Sequence, residues 1–161
     1  MGTVRYACLG PTDFAATVRQ ILHDPRGWQQ WFTFEEVTPP QIRKGRDVLF
    51  RLVPQAKMDT KFPEFPNLSV CNMTTKRIYI NEYRWRHGSS ASQLPLHLYQ
   101  HYVINHEFGH SQGAQHSNTC VAGGAPVMMQ QTLGLQGCSL TTHNPFPKRQ
   151  DLLSLPHRRL A

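Results

Sequence analysis

Apolar residues recur along this chain with two different periods, and the switches between them divide it into elements. Phe14, Val18, Ile21 and Leu22 fall at helical spacing behind Asp13, a good capping residue, and Pro25 with Gly27 follows, so a first helix capped by Asp13 is predicted there. Trp31-Phe32-Thr33-Phe34 and residues 47–53 are rich in aromatic and branched side chains and are bounded by turn formers, which predicts two strands. Arg77 to Asn81 alternates apolar with polar and predicts a third, followed by a Gly/Ser-rich loop over 88–92. Beyond Pro95 the period returns to that of a helix through Leu98, Tyr102, Val103 and Phe108, with the apolar side expected against the sheet. From Ser111 onward Gly, Pro, Ser, Thr and Asn dominate, which predicts long loops, and residues after Phe146 read as a mobile basic terminus.

The composition narrows the class. With 161 residues, 39% of them hydrophobic, and 3 Trp, 5 Tyr and 8 Phe, the chain can bury one proper core but not two. Expected boundaries are one domain over 1–147 and a basic tail over 148–161. Its longest apolar runs are far shorter than the roughly 20 residues of a membrane-spanning helix. Met1 to Tyr6 has neither the apolar stretch of a signal peptide nor the serine or threonine of a myristoylation signal, so the chain is expected either to act inside the cell or to have lost a targeting segment. A net charge of +7 admits an acidic partner, but the cations are scattered as Arg43-Lys44-Gly45-Arg46, Lys76-Arg77, Arg84-Trp85-Arg86, Lys148-Arg149 and Arg158-Arg159. No nucleic-acid recognition motif accompanies them, and a solvated basic surface is expected.

The chemistry is concentrated in His106-Glu107-Phe108-Gly109-His110-Ser111-Gln112-Gly113-Ala114-Gln115-His116, which reads HExxHxxGxxH. On a helix, side chains four residues apart lie on one face, so His106 and His110 can offer nitrogens to one metal ion with Glu107 beside them in a cleft. His116 is too far along a continuing helix to join them. Gly113 permits the left-handed turn that would bring it back. Three protein ligands with a fourth position open is the arrangement of a catalytic zinc, so one Zn2+ on His106, His110 and His116 is expected, with Glu107 as general base. An acidic third ligand fits poorly, because after Glu107 the chain has no glutamate and only one aspartate, Asp151. His143 and His157 are weaker candidates for the third position. His97 and His101 share the four-residue spacing without a carboxylate between them and are expected to be surface or packing residues, as Trp28, Trp85 and the phenylalanines are expected to be core.

This elongated motif, followed by Pro126-Val127-Met128-Met129-Gln130, resembles the metzincin metalloproteases. The resemblance implies an apolar methionine floor beneath the histidines, a role that falls to Met128 with Met129 as the alternative, and it places Gln130 where many metzincins carry a tyrosine that supports the oxyanion. Residues 99–137, with Asp24-Pro25-Arg26-Gly27-Trp28, Ile80-Asn81 and Arg84-Trp85 upstream, are similar to the metzincin-like proteins grouped as domain of unknown function 3152, over roughly residues 13 to 147. That resemblance implies an exported or membrane-anchored bacterial protein and no particular substrate. The family tends to carry a further cysteine ahead of the position of Cys71 that this chain lacks.

Four cysteines allow two disulfides. Cys120 and Cys138 bracket the methionine turn, and a bridge between them would restrain it by about 3 kcal/mol. For Cys8 with Cys71 only the possibility of pairing follows. Asn67 and Asn72 match the glycosylation acceptor pattern, which matters only in a eukaryotic secretory pathway. The expected architecture is α+β: a compact single metzincin-like domain with a small mixed sheet, an N-terminal helix, an active-site helix and a loop-rich C-terminal part. The expected activity is hydrolysis of a polypeptide. Two other functions remain open at this point, a catalytically silent zinc module of a larger assembly and a basic protein binding nucleic acid or another anionic polymer.

Overall fold

A computed structural model describes residues 2–156. Its frame is a five-stranded sheet in the order β2-β1-β3-β5-β4, built from β1 (Gly2–Leu9), β2 (Phe32–Glu36), β3 (Val48–Val53), β4 (Val70–Asn72) and β5 (Arg77–Asn81). β1 pairs in parallel with β2 and β3, and β3 with β5, while the edge strand β4 runs antiparallel to β5. Among the described residues, five α-helices accompany the sheet: α1 (Thr12–Leu22), α2 (Gln55–Lys61), α3 (Glu82–His87), α4 (Leu96–Ser111) and α5 (Arg149–Leu153). The result is one α+β domain with a mixed sheet.

Pleating sends Val4, Tyr6 and Cys8 of β1 to one face, and on that face Cys8, Phe50, Ile78 and Cys71 form a single row across β1, β3, β5 and β4. α1 and α4 pack together with this side of the sheet, and Tyr6, Phe14, Ile21, Trp28, Phe50, Ile78 and Phe108 fill the core between them. The four buried positions of α1 are the periodic residues Phe14, Val18, Ile21 and Leu22. Trp28 is fully buried and its indole N–H donates to the carbonyl of Asn105 at 2.9 Å, tying the segment after α1 to the middle of α4.

Several expectations are corrected. Asp13 lies inside the first turn of α1 behind Pro11, and its carboxylate accepts only from the neighbouring Phe14 N–H, so it does not cap the helix. α3, unforeseen, is capped instead by Asn81, whose Oδ1 accepts from the N–H groups of Tyr83 and Arg84. α4 is buried beyond its apolar side: Asn105, His106, Glu107 and Ser111 are buried too, because sheet and loops enclose it on most sides. The terminus after Phe146 is anchored as far as Pro156, since α5 and the turn that follows it deliver Leu152 and Leu155 into the main core. Cys8 and Cys71 are both free thiols. Three interstrand steps of about 4.8 Å separate them, on the order of 14 Å in all, far beyond the roughly 7 Å that a disulfide spans between Cα atoms. Cys120 and Cys138 are joined, with Cα atoms 5.6 Å apart.

Candidate metal centre

α4 begins after Pro95 and runs unbroken through His106 and His110 to Ser111. The chain then reverses. Gly113 has φ +98°, in the left-handed region, and the Ala114 N–H donates to the carbonyl of Gly109 at 3.0 Å. A side chain at Gly113 would also meet the ring of Pro156, its Cδ 3.0 Å from an added Cβ, so both conformation and space require glycine here. The turn returns His116 to the helix, and the Ser117 N–H holds it by donating to the carbonyl of Met128 at 3.0 Å.

Ring centroids of the three histidines lie 4.8 Å (His106 to His110), 5.3 Å (His106 to His116) and 4.6 Å (His110 to His116) apart. One ligating nitrogen from each falls within 4.8 Å of the others, close enough to share a metal ion. Among the described residues this is the one such group of three histidine, cysteine or acidic side chains. Two of the rings have their tautomer fixed. His106 Nδ1 faces the carbonyl of Val127 at 2.7 Å and His110 Nδ1 faces that of Ala114 at 2.8 Å. A carbonyl oxygen only accepts, so each Nδ1 carries the proton and each Nε2 keeps a bare lone pair. Burial holds His106 well below the usual imidazole range, pulls His110 down to about 4 and lowers His116, which leaves all three neutral at pH 7 and ready to ligate.

Glu107 is only 5% exposed, and its Oε1 has no hydrogen-bond partner. Burial alone pushes its carboxyl up to about 8. An unpartnered buried carboxyl is costly unless something outside the chain meets it, and this one lines the same cleft as the three histidines.

Beneath α4 lies the segment Pro126 to Gln131. Met128 is buried with its sulfur against Gly109, between the turns that carry His106 and His110. Met129 turns the other way, into a separate small cluster with Ala125, Leu135 and Cys138. Three consecutive carbonyls of this segment grip the centre: Val127 receives His106, Met128 receives Ser117, and Met129 receives the hydroxyl of Tyr102 at 2.8 Å.

The remaining histidines stand apart. His143 is buried 4.0 Å from Asp151, His97 is exposed, and His101 packs edge-on against Phe146. His157 and Arg158-Arg159 lie outside the described residues. The sequence reading missed the hydroxyl of Tyr102, although its place one turn ahead of His106 on the same helix was a signal, and it missed the cleft wall of Phe65, Leu68, Val70 and Met73. That wall comes from β4 and the segments on either side of it, more than thirty residues from the histidines in sequence, and Phe65 and Met73 are exposed. The cleft holds about 230 Å³.

Residues 2–149 match a family described as Protein of unknown function (DUF3152). The chain matches no curated protein and no solved structure.

Proposed function

The chain belongs to the DUF3152 family, whose function is unknown, and from that membership and the geometry of its histidine cluster we propose that it is a metzincin-like zinc metallopeptidase. The observation that carries this reading is the convergence of three neutral imidazoles on the cleft into which the unpartnered carboxyl of Glu107 also opens. Three nitrogen donors with no fourth protein ligand among the described residues suit a catalytic zinc rather than a structural one. A zinc ion held by His106, His110 and His116 would supply Lewis acidity, making water acidic near neutral pH and polarising a carbonyl.

The chain's own groups then have defined tasks. Glu107, its carboxylate favoured by a cation in the cleft over the neutral form that burial alone favours, takes the proton of the attacking water and returns it to the amine nitrogen as the C–N bond breaks. Val127 and Ala114 hold His106 and His110 in the ligating tautomer throughout. β4 pairs only with β5, so its outer edge offers backbone groups to which an extended polypeptide can add as a further strand. Apart from Glu107 and the histidines, no ionisable group but the thiol of Cys71 and the hydroxyl of Tyr102 lines the cleft, and Phe65, Leu68, Val70 and Met73 favour an apolar side chain next to the scissile bond.

The test is Glu107→Gln, which preserves shape and the three nitrogens while removing the base. Zinc content and folding are expected to persist, and cleavage of peptides selected from a proteome-derived library is expected to fall by roughly 10²-fold to 10⁴-fold. Undiminished cleavage by the variant would falsify the mechanism. A wild-type protein that binds zinc yet cleaves no peptide would be a silent metal module instead.

A further inference from the structure

Two of the cation groups that stand apart in the sequence meet in the fold. The loop that carries Arg43, Lys44 and Arg46 is bonded to the turn that carries Lys76 and Arg77: the Gly45 N–H donates to the carbonyl of Thr75 at 3.1 Å and the Leu49 N–H to that of Lys76 at 3.2 Å. Both pieces are held in place. Gly45 has φ +80°, and an added Cβ there would lie 3.3 Å from the carbonyl oxygen of Thr74. Asn72 Oδ1 accepts from the N–H groups of Thr74 and Thr75, each at 3.0 Å, and the Asn72 carbonyl accepts from Lys76 at 2.8 Å. Arg43 is spent on Asp47, a buried carboxylate that Arg5 also approaches, and Glu35 faces Arg43 as well. The side chains of Lys44, Arg46 and Arg77 form no hydrogen bond or ion pair among the described residues, and Lys44 and Arg46 are exposed.

This basic corner is continuous with the cleft. Met73, inside the same turn, lines the cleft together with Val70 and Cys71 of β4, and Arg77 pairs with Asn72 at the end of that strand. A polypeptide laid along the outer edge of β4 passes from Val70 to the turn beyond Asn72 in about three residues, at about 3.3 Å each. Neither turn carries an aromatic side chain on which a base could stack, so the corner suits carboxylates better than a nucleic-acid strand.

We propose that this corner binds an acidic segment of the polypeptide substrate, so that the protein selects chains carrying aspartate or glutamate at least about three residues from an apolar cleavage site. This rests on the peptidase reading above. Exposed cations act over about 10 Å at 0.1 M salt, which draws such a chain in and slows its departure without touching the reacting atoms. The effect therefore belongs to KM and not to kcat.

The experiment takes a peptide that the wild-type protein cleaves and extends it, on each side in turn, by a run of glutamates or of glutamines beyond the third residue. One of the glutamate extensions is expected to lower KM relative to its glutamine counterpart, with kcat unchanged, and added salt to erase the difference. In Lys44→Glu/Arg46→Glu the KM of that glutamate peptide is expected to rise by roughly tenfold, the scale of losing two exposed ion pairs, while the glutamine peptide keeps its wild-type KM. An equal preference for glutamate in the variant, or an equal rise for both peptides, would overturn the proposal. Fluorescence anisotropy on Glu107→Gln, with and without the two charge reversals, reads binding apart from turnover. Acidic-peptide binding that the reversals abolish supports the surface, and oligothymidylate bound more tightly than the acidic peptide overturns it in favour of nucleic acid. If the wild-type protein cleaves nothing, the peptidase reading falls, and the anisotropy alone decides whether the corner holds an acidic polypeptide.

Discussion

The sulfur of Met128 sits where a side chain on Gly109 would begin, 2.5 Å from the position of an added Cβ. Trp28 closes the same space from another direction, 3.5 Å from that point. Gly109→Ala therefore has to displace Met128, and overpacking of this kind costs roughly 1–3 kcal/mol. The displaced side chain lies between the turns of His106 and His110, so zinc affinity should fall along with the thermal midpoint. A variant with wild-type stability and wild-type affinity would show that the contact has no structural weight.

His116→Ala should weaken zinc binding by more than the about 10–100-fold that loss of an outer-shell partner costs, because it removes one of three ligands. His143→Ala should leave the stoichiometry near one ion per chain, since His143 lies beside Asp151 and outside the triad. Competition with a chelating dye measures both. The opposite order would mean that the third ligand is misassigned.

Asp151 is 4% exposed, and burial pushes its carboxyl up to about 6 from an ordinary 3.8. A carboxyl whose folded value is raised takes up a proton more readily in the folded state, so its contribution is complete below about 4 and is lost as pH rises through about 6. Asp151→Asn removes that penalty while keeping an acceptor for the Lys148 N–H, which now donates to Oδ2 at 2.7 Å. The variant should be more stable than wild type at pH 7.5, by up to about 3 kcal/mol, and the gap should close towards pH 5. Denaturant unfolding at both pH values checks it. A gap that widens on acidification would contradict the assignment.

Under oxidising conditions an unreduced digest should contain one linked pair, Cys120 with Cys138, and opening that bridge should cost about 3 kcal/mol of stability. Cys8 and Cys71 should resist alkylation in the folded protein, since burial pushes Cys8 up to about 12 and Cys71 higher still. Both should react after unfolding. Rapid labelling of either in the folded state would contradict the raised thiol values.

The convergence of the three histidines was legible because helix geometry and one glycine turn, features local to residues 106–116, determine it. The choice of Met128 over Met129 was also open to sequence reasoning, though only packing against Gly109 distinguishes them. β1 was missed although Val4, Tyr6 and Cys8 alternate with Thr3 and Arg5, because Ala7 and Leu9 blur the period and no turn former precedes it. β4 is three residues long and has no pattern of its own; its pairing with β5 defines it. The cleft wall followed it out of view. The helical spacing of Leu152 and Leu155 was hidden by the Pro/Arg-rich composition around them.

Leu155 is 1% exposed and Pro156 lies against Gly113, so the last described residues rest on the turn between His110 and His116. Purification strategy follows from this. A polyhistidine tag appended after Ala161 would start five residues beyond Pro156, a stretch that extends at most about 17 Å, and would put spare imidazoles within reach of the triad. They could displace water or substrate from the metal, or carry extra zinc into the count. Gly2 opens β1, whose first residue pairs with Phe32 at the far edge of the sheet from β4, so a tag at the amino terminus, or none, gives the cleaner measurement of stoichiometry and turnover.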